Sequence, residues 1–253
     1  MNNQTMMKST LTGWPASRTA ITAAVLLLTS VAGVNAADDA SWTGFYIGAH
    51  VGAGFGTMDL SSDTSAAVKQ NLLDHTANGS LTGLQGGANW QFKKHLLVGF
   101  EADHSITDIG ETAQVEFGPN GGPGVGNKIS VETDVNYIQT FRARIGYAAG
   151  PSLFFVTGGQ SYMHHSGSGR ATLNGAYAAG TDDGFHTGHV VGGGYERRLT
   201  DKLSIIGEYL RLISGTENYV IDLTAAAAQG GTVQLIGLEY RANLVQFGVN
   251  FHF

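Results

Sequence analysis

Eight segments of this sequence alternate apolar and polar residues with a period of two. Each spans about ten residues, the length a tilted strand needs to cross a bilayer. Successive side chains on a strand point to opposite faces, so each segment has one apolar and one polar or small face. The segments are Thr43–Phe55, Leu84–Phe92, Leu96–Ile106, Val135–Tyr147, Leu153–Tyr162, Thr187–Arg198, Leu203–Arg211 and Asn243–Phe253. The last is the cleanest: Val245, Phe247, Val249, Phe251 and Phe253 on one face, Gln246, Gly248, Asn250 and His252 on the other.

The connections alternate in length. Lys93–His95, Ala148–Ser152 and Leu199–Lys202 read as short turns, whereas Gly56–Gly79, Thr107–Asp134, His164–His186 and Leu212–Gln234 read as long loops. Short turns on one side and long loops on the other belong to membrane barrels. A soluble barrel would turn its apolar face inward and leave glycine and charge as its solvent surface. The pattern therefore predicts an all-β, eight-stranded antiparallel up-and-down transmembrane barrel, its lumen filled by side chains. An even strand number puts both termini on the periplasmic side and the long loops outside. Trp90, Phe92, Tyr147, Tyr195 and Phe253 next to the short turns, and Phe55, Tyr137, Tyr162 and Tyr209 next to the long loops, are expected to form two interfacial girdles.

Composition agrees. Only 13% of residues are charged, against about a quarter in a water-soluble domain, yet mean hydropathy is −0.02. Before Asp38 the only charges are Lys8 and Arg18; Ile21–Leu28 is apolar, and Val34-Asn35-Ala36 has the small residues that signal peptidase needs. Residues 1–36 are expected to be a cleaved signal peptide and 37–253 the barrel. Cleavage leaves 12 basic and 20 acidic residues, a formal charge of −8. That argues against nucleic acid as a partner. The chain has no cysteine, which excludes disulfides, thiolate catalysis and thiolate metal sites.

Glu101 and Asp103 on the third segment, Arg142 and Arg144 on the fourth, Glu196 on the sixth and Glu208 on the seventh all point inward by alternation. Either they form an ion path or a structural network. Charges of both signs pair off and leave no single-sign ring of the kind a selective pore uses, which favours the network. Two of His164, His165, His186 and His189, with His164 and His165 foremost, have the chemistry to ligate a metal or haem iron. Loop histidines without fixed spacing are mostly solvated, so no metal and no cofactor is assigned. His50 is expected in the lumen, bonded to a neighbour. His165-Ser166 does not suit a hydrolase, because adjacent strand residues face opposite ways. Neither glycine run is a phosphate cradle: Gly118–Gly126 lacks the following Lys-Ser/Thr and helix, and Gly192–Gly194 lies within a strand segment. Ala225–Ala228 is expected to form a helical turn.

Six motifs come in order along the strands: W-T-G-F-Y-I-G at Trp42–Gly48, G-x-Q-x-G-x-N-W-Q at Gly83–Gln91 and V-G-x-E-x-D at Val98–Asp103; then R-x-R-x-G-Y at Arg142–Tyr147, V-T-G-G at Val156–Gly159 and E-Y-L at Glu208–Leu210. In these the chain resembles the opacity-type, porin-like outer-membrane surface antigens of alphaproteobacteria. Gln160 and Gln139 depart from that family's pattern. The resemblance implies a non-enzymatic barrel with a role in envelope integrity and surface exposure, and haem or host-surface binding for some members. Its implied partners are outer-membrane lipids and lipopolysaccharide, the barrel-insertion machinery, and an extracellular ligand of the loops. Phe247, Val249, Phe251 and Phe253 resemble the C-terminal aromatic signal that this machinery reads. A small diffusion channel is the rival reading. No peptidoglycan-binding domain is expected beyond the last strand.

Overall fold

The computed structural model describes residues 41–60, 76–117, 126–173, 175–214, 217–220 and 234–253. The expected signal peptide, the Ala225–Ala228 turn and most of Gly118–Gly126 lie outside them. Within them the chain forms β1 (Gly44–Leu60), β2 (Thr76–Phe92), β3 (Leu96–Phe117), β4 (Asn127–Ala149), β5 (Ser152–Leu173), β6 (Ala176–Arg198), β7 (Leu203–Ser214), β8 (Glu217–Val220) and β9 (Gln234–His252). Each strand through β7 pairs antiparallel with the next, β7 pairs with β9, and β9 pairs with β1 to close the sheet. Closure removes the unpaired edges that a lipid environment forbids. The short β8 continues along β9 beyond the end of β7, so nine strands make eight staves. Among the described residues, no helix is long and apolar enough to cross a membrane.

The stagger sets the geometry inside. Following paired residues from Phe45 leads through Ala88, Phe100, Ala143, Gly158, Val191, Arg211 and Asn243, and returns to β1 at Phe55, ten residues further on. Eight staves with that shear tilt by about 40° and leave a lumen just wide enough for side chains. Each row thus climbs toward the long-hairpin end as it passes from β1 to β9.

The alternation resolves into an exterior and an interior. Phe45, Ile47, Leu84, Phe100, Ile145, Val156 and Phe253 are exposed outside, Phe45 by 69% and Phe253 by 76%. Tyr46, His50, Gln85, Glu101, Arg142 and Asn250 are buried inside. Trp90, Phe92 and Tyr147 face outward near the short turns, and Phe55, Tyr162 and Tyr209 further up. Tyr147 and Tyr137 are ten residues apart on β4. At about 3.3 Å per residue and this tilt they lie roughly 25 Å apart along the barrel axis, the height of an outer-membrane apolar band.

Two expectations are corrected. Thr107–Asp134 and His164–His186 are not mainly loops: β3 and β4 pair out to Phe117 and Asn127, and β5 and β6 out to Leu173 and Ala176. Beyond the membrane both faces of a hairpin meet water, so ladder pairing persists after the apolar alternation has stopped. The β5–β6 connection is a tight turn, with Gly175 at φ 82°. The second correction concerns Val135, which alternation puts outside. Asn136 is an extra residue on β4: Tyr137 pairs with His164 and Val135 with His165. This bulge inverts the strand's parity above it, and Val135 packs against the interior.

Candidate functional site

The lumen is built from bulky side chains facing glycines. Tyr46 pairs with Gly87 and His50 with Gly83; on β3 Gly99 sits across from both Asn89 and Arg144. A Cβ at Gly87 would strike the Tyr46 ring, and one at Gly159 would strike the β4 backbone beside Arg142. Large and small residues interlock in this way around a narrow barrel, which accounts for the glycine stripe on β6.

At mid-height the structure brings together all six inward charges that the sequence singles out. Arg142 contacts Glu101 Oε1 at 2.5 Å, Asp103 Oδ2 at 3.0 Å and Glu208 Oε2 at 3.0 Å. Arg144 contacts Glu101 Oε2 at 3.4 Å and Glu196 Oε2 at 3.2 Å, and its Nε donates to Asn89 Oδ1 at 2.8 Å. Each arginine is buried to 1% exposure or less. Four carboxylates share two guanidiniums, so neutral donors carry the remainder. Tyr46 donates to Glu101 and Thr140 to Asp103. Ser204 Oγ and Asn250 Nδ2 donate to Glu196 Oε1 at 2.6 and 2.8 Å, with His252 Nε2 at 3.3 Å. His50 bonds Gln85 at 2.9 Å and Ser105 at 2.8 Å, and Gln85 donates to Asn250 at 2.7 Å. The connected polar layer therefore runs through β1, β2, β3, β4, β6, β7 and β9.

Apolar layers lie on both sides of it. Toward the long hairpins Leu81, Ile109, Ile138, Met163, Val190, Leu210, Leu212 and Leu244 form one buried cluster drawn from β2 to β7 and β9. β1 contributes Gly54, where a Cβ would collide with Ile109 and Leu244. Toward the short turns Trp42, Leu97, Ala148, Leu153, Phe155 and Ile206 form a second cluster. Trp42 is fully buried; its Nε1 donates to Gly150 O at 3.3 Å, and the Arg198 guanidinium lies 4.9 Å over its ring. Burying each large apolar side chain away from water contributes about 1.5–3 kcal/mol. The upper cluster is an internal septum that water does not readily wet.

Sequence reasoning missed this septum. Its signal is adjacent apolar pairs such as Val190-Val191 and Leu244-Val245, where both faces of a strand are apolar; Leu96-Leu97, Phe154-Phe155 and Ile205-Ile206 signal the lower cluster in the same way. Tyr46, Asn89, Thr140, Ser204 and Asn250 were also missed as network members. Alternation places most of them inside, but only the shear decides which inward residues share a level.

The histidines separate. His164 faces outward, its ring stacked on Tyr137 at 4.8 Å, with Nε2 3.1 Å from Asp183 Oδ1. His165 faces inward, its ring centroid 4.1 Å from that of buried His186. Neighbours on one strand cannot close on one iron, so His164 and His165, the foremost candidates for a ligand pair, are not brought together. His189 is outside, bonded to Gln160 at 3.2 Å; His104 and Gln139 make a similar outward pair at 3.1 Å. The two glutamines that depart from the family pattern are thus outward partners of histidines. Among the described residues no group of three or more His, Asp or Glu is placed to hold a metal ion.

A closed eight-stave barrel with an apolar exterior and a polar, side-chain-filled interior is an integral membrane β-barrel. The chain belongs to the outer-membrane protein β-barrel domain family, which it matches over residues 24–253. It is 30% identical over 198 residues to the 31 kDa outer-membrane immunogenic proteins of Brucella melitensis biotype 1 and Brucella suis biovar 1. The aligned part covers 72% of this chain and 75% of each relative. Among solved structures it aligns with the outer membrane protein OprG from Pseudomonas aeruginosa (TM-score 0.42, 11% identity, 85% of this chain and 98% of that one). It also aligns with Neisserial surface protein A (TM-score 0.41, 14% identity, 83% and 98%). The protein resides in the outer membrane.

Proposed function

We propose that this protein is a closed, non-enzymatic barrel that reinforces the outer membrane and displays its long hairpins at the cell surface. The observation that carries the reading is the filled lumen, a charged network between two apolar clusters. In this reading residues 1–36 are removed on export, both termini are periplasmic, and the hairpins β3–β4 and β5–β6 project outward. Outer-membrane lipids, lipopolysaccharide and the insertion machinery are its partners. Against a lipid hydrolase, His165 and Ser166 face opposite ways, and two serines that do touch a histidine, Ser204 on His252 and Ser105 on His50, are buried inside the lumen network, with Glu196 sharing the same His252 nitrogen as Ser204.

The test is complementation. In a deletion strain, a version whose hairpins are clipped to short turns below Glu111–Thr133 and Ser166–Asp183 should restore resistance to detergent. Failure to restore it while the full-length chain succeeds would move the function to a ligand of the hairpins. Planar bilayers decide the rival pore reading. The purified barrel should give no steady conductance, and sizeable steady openings would make it a channel.

A further inference from the structure

Four polar side chains interrupt the lipid-facing wall of β3, β4, β5 and β6. His104, Gln139, Gln160 and His189 all point outward and are exposed or half-buried. Apolar residues bracket them on the same outward face. Phe100 and Ile106 lie below and above His104, Phe141 and Tyr137 below and above Gln139, and Val156 and Tyr162 below and above Gln160. The four are therefore set within the apolar band, beneath its upper rim. They are joined in two pairs: Gln139 Nε2 lies 3.1 Å from His104 Nδ1, and Gln160 Nε2 lies 3.2 Å from His189 Nδ1. An amide nitrogen only donates, so each ring accepts at Nδ1 and carries its proton on Nε2. Each pair then turns toward lipid an amide oxygen that accepts and a ring N–H that donates. Among the described residues these groups make no other hydrogen bond. Hydrocarbon offers such groups no partner, and leaving them bare is costly.

Depth identifies what meets them. His104 faces Gln139 across the strands and Gln160 faces His189; Gln139 and Gln160 are diagonal, since Tyr162 faces Gln139 and Phe141 faces Gln160. At this tilt a row climbs about 3 Å per strand, and two residues down a strand drop about 5 Å. The zigzag thus stays within about 4 Å of one level, roughly 4–8 Å below Tyr137, over a width of about 15 Å. A contact between two barrels would run as a stripe from one girdle to the other. A band held at one depth instead tracks a layer of the membrane. Just below the headgroups, the acyl layer supplies both a donor and an acceptor where its chains carry a hydroxyl close to the head.

We propose that this band binds the hydroxylated acyl chains of an outer-leaflet glycolipid, a chain hydroxyl donating to the glutamine Oε1 and accepting from the histidine Nε2–H of a pair. The choice of leaflet rests on the proposed orientation, which puts Tyr137 at the outer surface. The test uses the folded, full-length protein in mild detergent, native mass spectrometry, and two probes with the same phosphorylated head. One is a tetra-acyl lipid A whose chains all carry the 3-hydroxyl; the other is its analogue with plain chains. The wild type should bind the hydroxylated probe about tenfold more tightly, as one or two hydrogen bonds made away from water allow. Equal affinity overturns the proposal, whatever the variants do. Combining His104→Leu, Gln139→Leu, Gln160→Leu and His189→Leu removes both pairs whole, orphans no partner and suits a lipid-facing wall. That variant should bind the two probes alike, and a preference kept at the wild-type level also overturns the proposal. A wild-type dimer that the variant loses would make the band a contact between copies and refute the lipid. Affinity in detergent does not depend on orientation, whereas protease cutting near Gly175 on intact cells reads orientation alone.

Discussion

Arg142→Ala is expected to lower the unfolding free energy of the barrel by about 3–5 kcal/mol, the cost of leaving buried charge without its partner. Arg142 is fully buried and serves Glu101, Asp103 and Glu208 at once. Its removal leaves Arg144, 3.4 Å from Glu101, as the nearest remaining cation of the network. The effect belongs to broken pairing rather than to lost packing. A variant that neutralises both sides, Arg142→Met with Glu101→Gln and Glu208→Gln, should therefore recover much of the loss. Urea unfolding of the folded barrel in lipid vesicles, followed by tryptophan fluorescence, measures both. An unchanged midpoint for Arg142→Ala would mean that the network contributes no stability.

Deletion of Phe253 is expected to reduce the folded protein in the outer membrane several-fold, more than clipping any hairpin does. In the folded barrel its amide donates to Phe45 O at 3.0 Å, the last bond of the β9–β1 seam, and its ring packs edge-on against Phe251. One such hydrogen bond contributes only about 0.5–1.5 kcal/mol. The purified variant should therefore refold with nearly wild-type stability. Poor insertion in cells beside near-normal stability in vitro would assign Phe253 to recognition by the insertion machinery. Normal surface levels would instead count against that role.

Much of the barrel was legible because the membrane imposes a period of two. Phe247, Val249, Phe251 and Phe253 announce a lipid-facing row, and Glu101, Asp103, Arg142 and Arg144 announce a polar interior. What was illegible lies where that constraint relaxes. Above the bilayer both faces of β5 and β6 are solvated, so the ladder out to Leu173 and Ala176 carries no hydrophobic signature. At Asn136 a single bulged residue inverts β4, which turns Val135 inward against expectation. His164 and His165, neighbours in sequence, end on opposite sides of the wall, and the imidazole beside His165 is that of His186.

The sequence by itself determined the number of staves, which residues face lipid and which face inward, and the presence of paired charge in the lumen. Alternation is local, and a local rule suffices for those. Only the tertiary structure decided which inward residues meet. The β3–β4 register sets Glu101 beside Arg142, while closure with a ten-residue stagger carries Arg142 across to Glu208 and stacks Leu81, Ile138, Val190 and Leu244 into a septum. Shear belongs to the closed sheet and to no single strand, so the plug cannot be read from any segment alone.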